Sequence, residues 1–248
     1  MGIFIKVSSY ELKASARKLI SENAPKLFFV SILFIVIVTL ISEFQYRLMG
    51  TASALEQLLE HIYDEGVQSI NQSAMTFLSF FRPSGAALAI VLRLMLPVLD
   101  AGYASYCMKI NRGQGGEYKD ILDGFLVFIK VILISIITTI FVLLWSLLFI
   151  VPGIIAGYRY RQAIYILLDD PKKGVFQCIR ESKSLMRGKK LDLFLVDLTF
   201  IGWVMIDFLV VWLLPLPFSF PVISIWLTPY MGLTRAGFYD KLINTLVV

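Results

Sequence analysis

The chain has 248 residues, 58% hydrophobic and 17% charged, with mean hydropathy +0.76 and a formal net charge of +5. Soluble domains run near half apolar and a quarter charged, and here the apolar residues collect in runs of 15 to 27. Such a pattern argues against a water-soluble core and excludes collagen, disorder and a disulfide scaffold; the only cysteines, Cys107 and Cys178, fall on the side where thiols stay reduced, so no disulfide is expected.

In chain order, Ser8 to Glu11 fits a capping box, after which Leu12, Ala16, Leu19 and Ile20 share one helical face opposite Lys13, Arg17 and Lys18. The spacing predicts an amphipathic helix within residues 1–25, either interfacial or packed on the ends of a bundle. A helix needs about 20 apolar residues to cross about 30 Å of hydrocarbon. Six segments qualify, at 26–42, 84–108, 125–151, 153–168, 193–214 and 217–238. Between the first two, residues 43–83 read as an external amphipathic cap, with Leu55, Leu58, Leu59 and Ile62 in one stripe and His61 as a surface histidine. Residues 169–192 read as a basic helix in which Val175, Cys178, Ile179, Ser182, Leu185 and Met186 keep helical spacing.

Basic residues in short loops stay cytoplasmic. Residues 1–26, 109–124 and 169–192 are rich in Lys and Arg, whereas 43–83 holds Arg47 and Arg82 against five acids. Val151-Pro152-Gly153 and Pro215-Leu216-Pro217 read as uncharged outer turns. Both termini are therefore expected inside, around one six-span unit covering 1–248. Lys13, Arg17, Lys18, Lys172, Lys173, Arg187, Lys189 and Lys190 form a basic collar facing lipid headgroups, so the positive charge is no argument for nucleic acid.

Charges inside the spans are costly. Fifteen Leu, Ile, Val and Phe residues in 193–214 favour insertion by about 7 kcal/mol, and two central Asp residues would cancel nearly all of it. Asp197 and Asp207 must therefore find partners. Matching depth by helix rise groups Arg93, Asp100, Arg159, Asp197 and Asp207 as an intramembrane polar cluster, with Asp207 paired to Arg93 or Arg159. Such a cluster either pins helices together or lines a route. Lys130, five residues into its span, is expected to snorkel to the inner interface. Asp169-Asp170-Pro171 reads as a helix stop and turn, with a cation-binding pair as the other reading.

No HExxH, P-loop, Gly-x-Ser-x-Gly or Cys-x-x-Cys motif is present. Neither catalytic residues, a cofactor nor a metal site is predicted.

Several blocks occur together and in order: 144–158 (LWSLLFIVPGIIAGY), Asp169-Asp170-Pro171, 181–190 (ESKSLMRGKK), Phe200-Ile201-Gly202-Trp203, Pro229-Tyr230 and Phe238-Tyr239, with 11–17 and 112–125 before them. Together they resemble, over essentially the whole chain, the bacterial integral-membrane family catalogued as domain of unknown function 975. The resemblance implies a multi-pass helical protein typical of Gram-positive bacteria, distantly similar to the membrane domain of some glycerophosphodiester phosphodiesterases, with no established activity. Arg159 and Arg161 stand where the family prefers small or hydroxyl side chains, and Leu214-Pro215-Leu216-Pro217 replaces a Gly-containing turn.

The resulting expectation is an all-α, six-span, non-catalytic protein of the bacterial plasma membrane, both termini cytoplasmic, associated with transport through its polar cluster. Its partners are membrane lipids. The alternative is an accessory or immunity-type protein acting through a membrane-protein partner, such as an ABC transporter, or through lipid binding; oligomeric state is left open.

Overall fold

The computed structural model describes residues 8–49, 83–213 and 221–247, and every regular element among them is helical. Ten α-helices follow in order: α1 Ser9–Asn23, α2 Lys26–Met49, α3 Pro83–Asn111, α4 Asp123–Leu126, α5 Phe128–Leu148, α6 Ile150–Tyr160, α7 Ala163–Asp169, α8 Val175–Leu185, α9 Lys190–Leu213 and α10 Ser224–Val247. A 3-10 turn, Tyr118–Leu122, precedes α4. The chain divides into two compact units, one made of 1–35 with 97–248 and the other of 36–96. The second unit holds the far half of α2 and the first half of α3, where Leu40, Phe44, Ile90 and Val91 are exposed. The expected cap lies mostly in 50–82, and its stripe, His61 and the 214–217 turn fall outside the described residues.

Four described helices are long and apolar enough to cross a membrane: Lys26–Gln45, Leu88–Asn111, Phe128–Leu148 and Lys190–Val210. Only about a tenth to under a half of each is buried inside the protein, as expected where lipid covers the outer face. They coincide with the first, second, third and fifth expected spans. The other two differ for local reasons. Residues 153–168 do not form one helix, because the helix breaks at Arg161-Gln162 between α6 and α7. The final helix lies about seven residues later than the 217–238 segment and takes in Asp240 and Lys241 beside Arg235, which lowers its hydropathy. Pro97 sits inside α3 without ending it.

The turn expected at Val151-Pro152-Gly153 occurs earlier, at Phe149, whose extended backbone (φ −159°, ψ 149°) separates α5 from α6. Val151-Pro152-Gly153 lies instead in the first turn of α6, where a proline's missing N–H costs nothing. α5 and α6 then pack side by side. Gly153 permits this, since a β-carbon there would collide with Ser146 Oγ and stand 2.9 Å from its Cα. The tip exposes Leu147, Phe149 and Ile150 at 87%, 69% and 76%.

At the other end of the first unit the chain is polar and closely packed. Ser8 accepts a hydrogen bond from the Glu11 N–H and caps α1, whose Leu12, Ala16 and Ile20 are buried along α10. Lys241 of α10 is bonded to Glu11 of α1 at 2.6 Å. Gly102 on α3 and Gly124 on α4 bring two backbones into contact. A β-carbon at Gly102 would collide with the Ile121 carbonyl oxygen, and one at Gly124 with that of Val98.

Candidate functional site

The sharpest concentration of charge inside the first unit is centred on Asp197. It stands in the eighth position of α9, a helix otherwise apolar from Leu193 to Leu213 apart from Thr199 and Asp207. Arg161 Nη1 approaches one carboxylate oxygen at 2.9 Å. Arg235 approaches the other through Nη2 at 3.1 Å and Nε at 3.2 Å. Tyr158 donates its hydroxyl to Asp197 Oδ2 at 3.2 Å. The Asp197 side chain is 11% exposed, while Arg161 and Arg235 are 35% and 29% exposed.

Three elements position these groups. Arg161 ends α6 at the helix break, so its side chain leaves the α6–α7 line next to α9. Tyr158 sits three residues earlier on the same face, edge-on to Phe194 of α9 at 5.7 Å between ring centres. Arg235 comes from α10, whose packing on α9 is filled by Phe200 against Tyr230 and Trp203 against Trp226. Two guanidinium groups and one carboxylate give the centre a net charge of +1.

Of the five residues expected to form one cluster, only Asp197 lies here. Asp207 is buried at 6% exposure and makes no ion pair among the described residues. Its oxygens accept from the Ile223 N–H at 2.9 Å and the Ser224 hydroxyl at 2.5 Å, at the N-terminus of α10. The expected pairing with Arg93 or Arg159 is thus replaced by a cap for the unsatisfied N–H groups and positive dipole end of the next helix. Ten residues separate Asp197 from Asp207, about 15 Å of rise and a rotation of roughly 80° off register, so they cannot share a site. Arg159 is two residues from Arg161 and so points away from it; its guanidinium lies 5.8 Å from the Tyr160 ring centre. Ser182 donates to the Arg159 carbonyl at 3.0 Å. Arg93 is exposed on the first half of α3, within the second unit, and Asp100 is exposed on the second half.

Depth matching missed Arg161, Arg235 and Tyr158. Arg235 was recoverable as an ionisable residue within an apolar segment, and Arg161 likewise, within the expected 153–168 span.

Most of the remaining charged groups at this end are paired, while the buried Tyr106 hydroxyl and Gln162 Oε1 have no hydrogen-bond partner among the described residues. Lys109 binds Asp120 and Asp123 at 2.7 Å each, and Ser105 donates to Asp123. Arg112, just beyond the end of α3, pairs with Asp169 at the end of α7 at 2.6 Å and with Asp240 of α10 at 2.8 Å. Burial disfavours the Arg112 cation, but these two carboxylates outweigh it and hold its pKa above the usual value. Asp170 accepts from the Lys172 N–H in a turn, so Asp169-Asp170-Pro171 ends a helix here, and no group of three or more metal-type ligands occurs among the described residues. Lys130 donates to the carbonyls of Pro171 and Lys173 at 2.6 and 3.1 Å.

Among the residues of the expected basic collar, Arg17, Lys18, Lys172 and Arg187 are exposed, and Lys190 is half-buried. Lys13 lies over the Phe200 ring at 4.5 Å, where burial and then Arg17 push its pKa down. Lys173 pairs with Glu181 at 2.7 Å and Lys189 with Asp192 at 3.8 Å. On α8 the stripe of Cys178, Ile179, Ser182 and Met186 is buried, and both cysteines of the chain are free and buried.

Residues 148–245 match the family described as "Protein of unknown function (DUF975)". The match runs from the end of α5 through nearly all of α10 and contains every member of the Asp197 centre; the blocks at 11–17 and 112–125 lie outside it. No curated protein matches the chain, and no solved structure does.

Proposed function

We propose that this chain is a non-catalytic, multi-pass protein of the bacterial plasma membrane, with both termini cytoplasmic, that takes part in transport through the polar centre at Asp197. The observation carrying this reading is that Arg161, Arg235 and Tyr158 converge on a carboxylate set among helices with exposed apolar faces. Ionisable groups in such surroundings are costly and mark routes or binding sites more often than exposed ones do.

Six passes fit the helices. α5, at 21 residues, rises about 31 Å, and α6 with α7 cover a comparable distance in the opposite direction. Lys130 at the start of α5 reaches the carbonyls beyond α7, so the segment leaves one end and returns to it. α10, at 24 residues, rises about 36 Å and supplies a sixth pass despite its charges. The alternative, an accessory or immunity-type protein acting through a membrane partner, receives less support, because the apolar stripe of α8 is already used in packing. The more distant kinship to the membrane domain of glycerophosphodiester phosphodiesterases belongs to the same proposal.

The test is flux into proteoliposomes of the full chain, screened with radiolabelled small anions and cations, against R235Q and protein-free vesicles. Flux in wild type that falls at least tenfold in R235Q supports transport. Wild-type flux no greater than that of empty vesicles removes it and leaves the accessory reading.

A further inference from the structure

We infer that the Arg161–Asp197–Arg235 centre is a binding site for a phosphate-bearing anion. The inference rests on the reading of this bundle as membrane-embedded, but not on transport.

The first argument is charge. Asp197 neutralises one of two guanidinium groups, and no other carboxylate pairs with either arginine among the described residues. Two guanidinium groups sharing one carboxylate repel each other, and a second anion restores balance. The second is hydrogen-bonding capacity. A guanidinium carries five N–H donors and no acceptor. Asp197 accepts from Nε and Nη2 of Arg235 and forms an ion pair with Nη1 of Arg161. Arg161 Nε and Nη2 and Arg235 Nη1 have no partner among the described residues. These forked, planar donors match phosphate oxygens in pairs, as a lysine does not.

The third is access. About a third of each arginine side chain is exposed beside a nearly buried Asp197, so the pair of guanidinium-bearing side chains can be reached from the protein surface. By helix rise Asp197 stands about 10 Å from the charged end of α9, a depth that a lipid phosphodiester approaches from the inner leaflet. A lipid headgroup and free phosphate share this chemistry, and the experiment separates them.

Full-length protein in an uncharged maltoside detergent is melted by tryptophan fluorescence with phosphatidylglycerol or phosphatidylcholine, and separately with inorganic phosphate or chloride at equal ionic strength. A site filled at about 100 times its dissociation constant shifts Tm by ~5 °C or more. The expected result is such a rise with phosphatidylglycerol over phosphatidylcholine, reduced by at least half in R161Q and R235Q and kept in K183Q, whose lysine is exposed on α8. A rise with phosphate but not with phosphatidylglycerol assigns the site to the free ion. No rise from either, or a rise undiminished in both arginine variants, overturns the inference. If R161Q and R235Q do not fold, native mass spectrometry of wild type decides: one retained phosphatidylglycerol or phosphate per chain supports the site, and none refutes it. Binding without flux would leave this site standing and remove the transport reading.

Discussion

Replacing Asp197 with Ala takes one carboxylate from between two guanidinium groups, and the arrangement sets an order among the variants. In D197A both Arg161 and Arg235 lose the partner they hold at 2.9 and 3.1 Å. Breaking a buried pair by removing one partner costs about 3–5 kcal/mol. The partial exposure of both arginines moves the figure toward the lower end, about 3 kcal/mol, because solvent screens what is left. In R235A or R161A the carboxylate keeps one guanidinium and the Tyr158 hydroxyl, so each costs less, about 1–2 kcal/mol. At about 2–4 °C per kcal/mol, D197A lowers Tm by roughly 6–12 °C and each arginine variant by roughly 2–8 °C. The assay is thermal unfolding of purified protein in detergent without anionic lipid, with D197A/R235A closing a double-mutant cycle. Removing both members relieves part of the D197A penalty, so the cycle is non-additive. The reasoning fails if either arginine variant is as damaging as D197A, or if the two losses simply add.

Three further outcomes follow from the same geometry. Gly102→Ala drives a β-carbon into the Ile121 carbonyl, 2.6 Å from its carbon, and lowers stability by about 1–3 kcal/mol; Gly157→Ala, with nothing within 4 Å, is neutral or stabilising in the same melt. Asp207→Ala removes both acceptors at the start of α10 and costs about 1–3 kcal/mol, whereas Asp207→Asn keeps one acceptor and costs less; equal losses would point to an ion pair and not a cap. For Lys173–Glu181, burial opposes the Glu181 carboxylate but bonds from Lys173 and Gln177 outweigh it and lower its pKa. That stabilisation is present above the ordinary glutamate value of about 4.3 and is lost as pH falls through the lower folded value. The Lys173 pKa is raised, first by its bond to Glu181, so its share is present at neutral pH and lost only as pH rises through the folded lysine value. E181Q thus lowers Tm slightly at pH 7, by about 0.2–1 kcal/mol of stability, and the gap to wild type closes as wild-type Glu181 is protonated.

Helix identity was readable wherever one simple period dominates. Leu12, Ala16 and Ile20 on α1, and Cys178, Ile179 and Ser182 on α8, are buried in the structure as their spacing predicts. Four long apolar runs became the four span-length helices. The break at Arg161-Gln162 was not readable, because neither glycine nor proline marks it and apolar residues continue on both sides. The partners of Asp197 and Asp207 were missed for a geometric reason. Helix rise gives depth alone, while side-chain direction turns by 100° per residue. Residues at one depth, such as Arg159 and Arg161, therefore point to opposite sides. Nor does an aspartate in an apolar helix disclose that its partner is a backbone N–H of the following helix, as for Asp207.

The central proposal is that α5 carries the chain through the membrane and α6 with α7 carry it back, leaving the charged helix ends inside the cell. Membrane-impermeant maleimide labelling of I150C and K172C tests it most directly, since both native cysteines are buried. Ile150 is exposed at the apolar tip and Lys172 at the charged end. The account predicts that I150C reacts in intact cells and K172C only after permeabilisation. Reaction of both from the same side, or of K172C alone in intact cells, contradicts it.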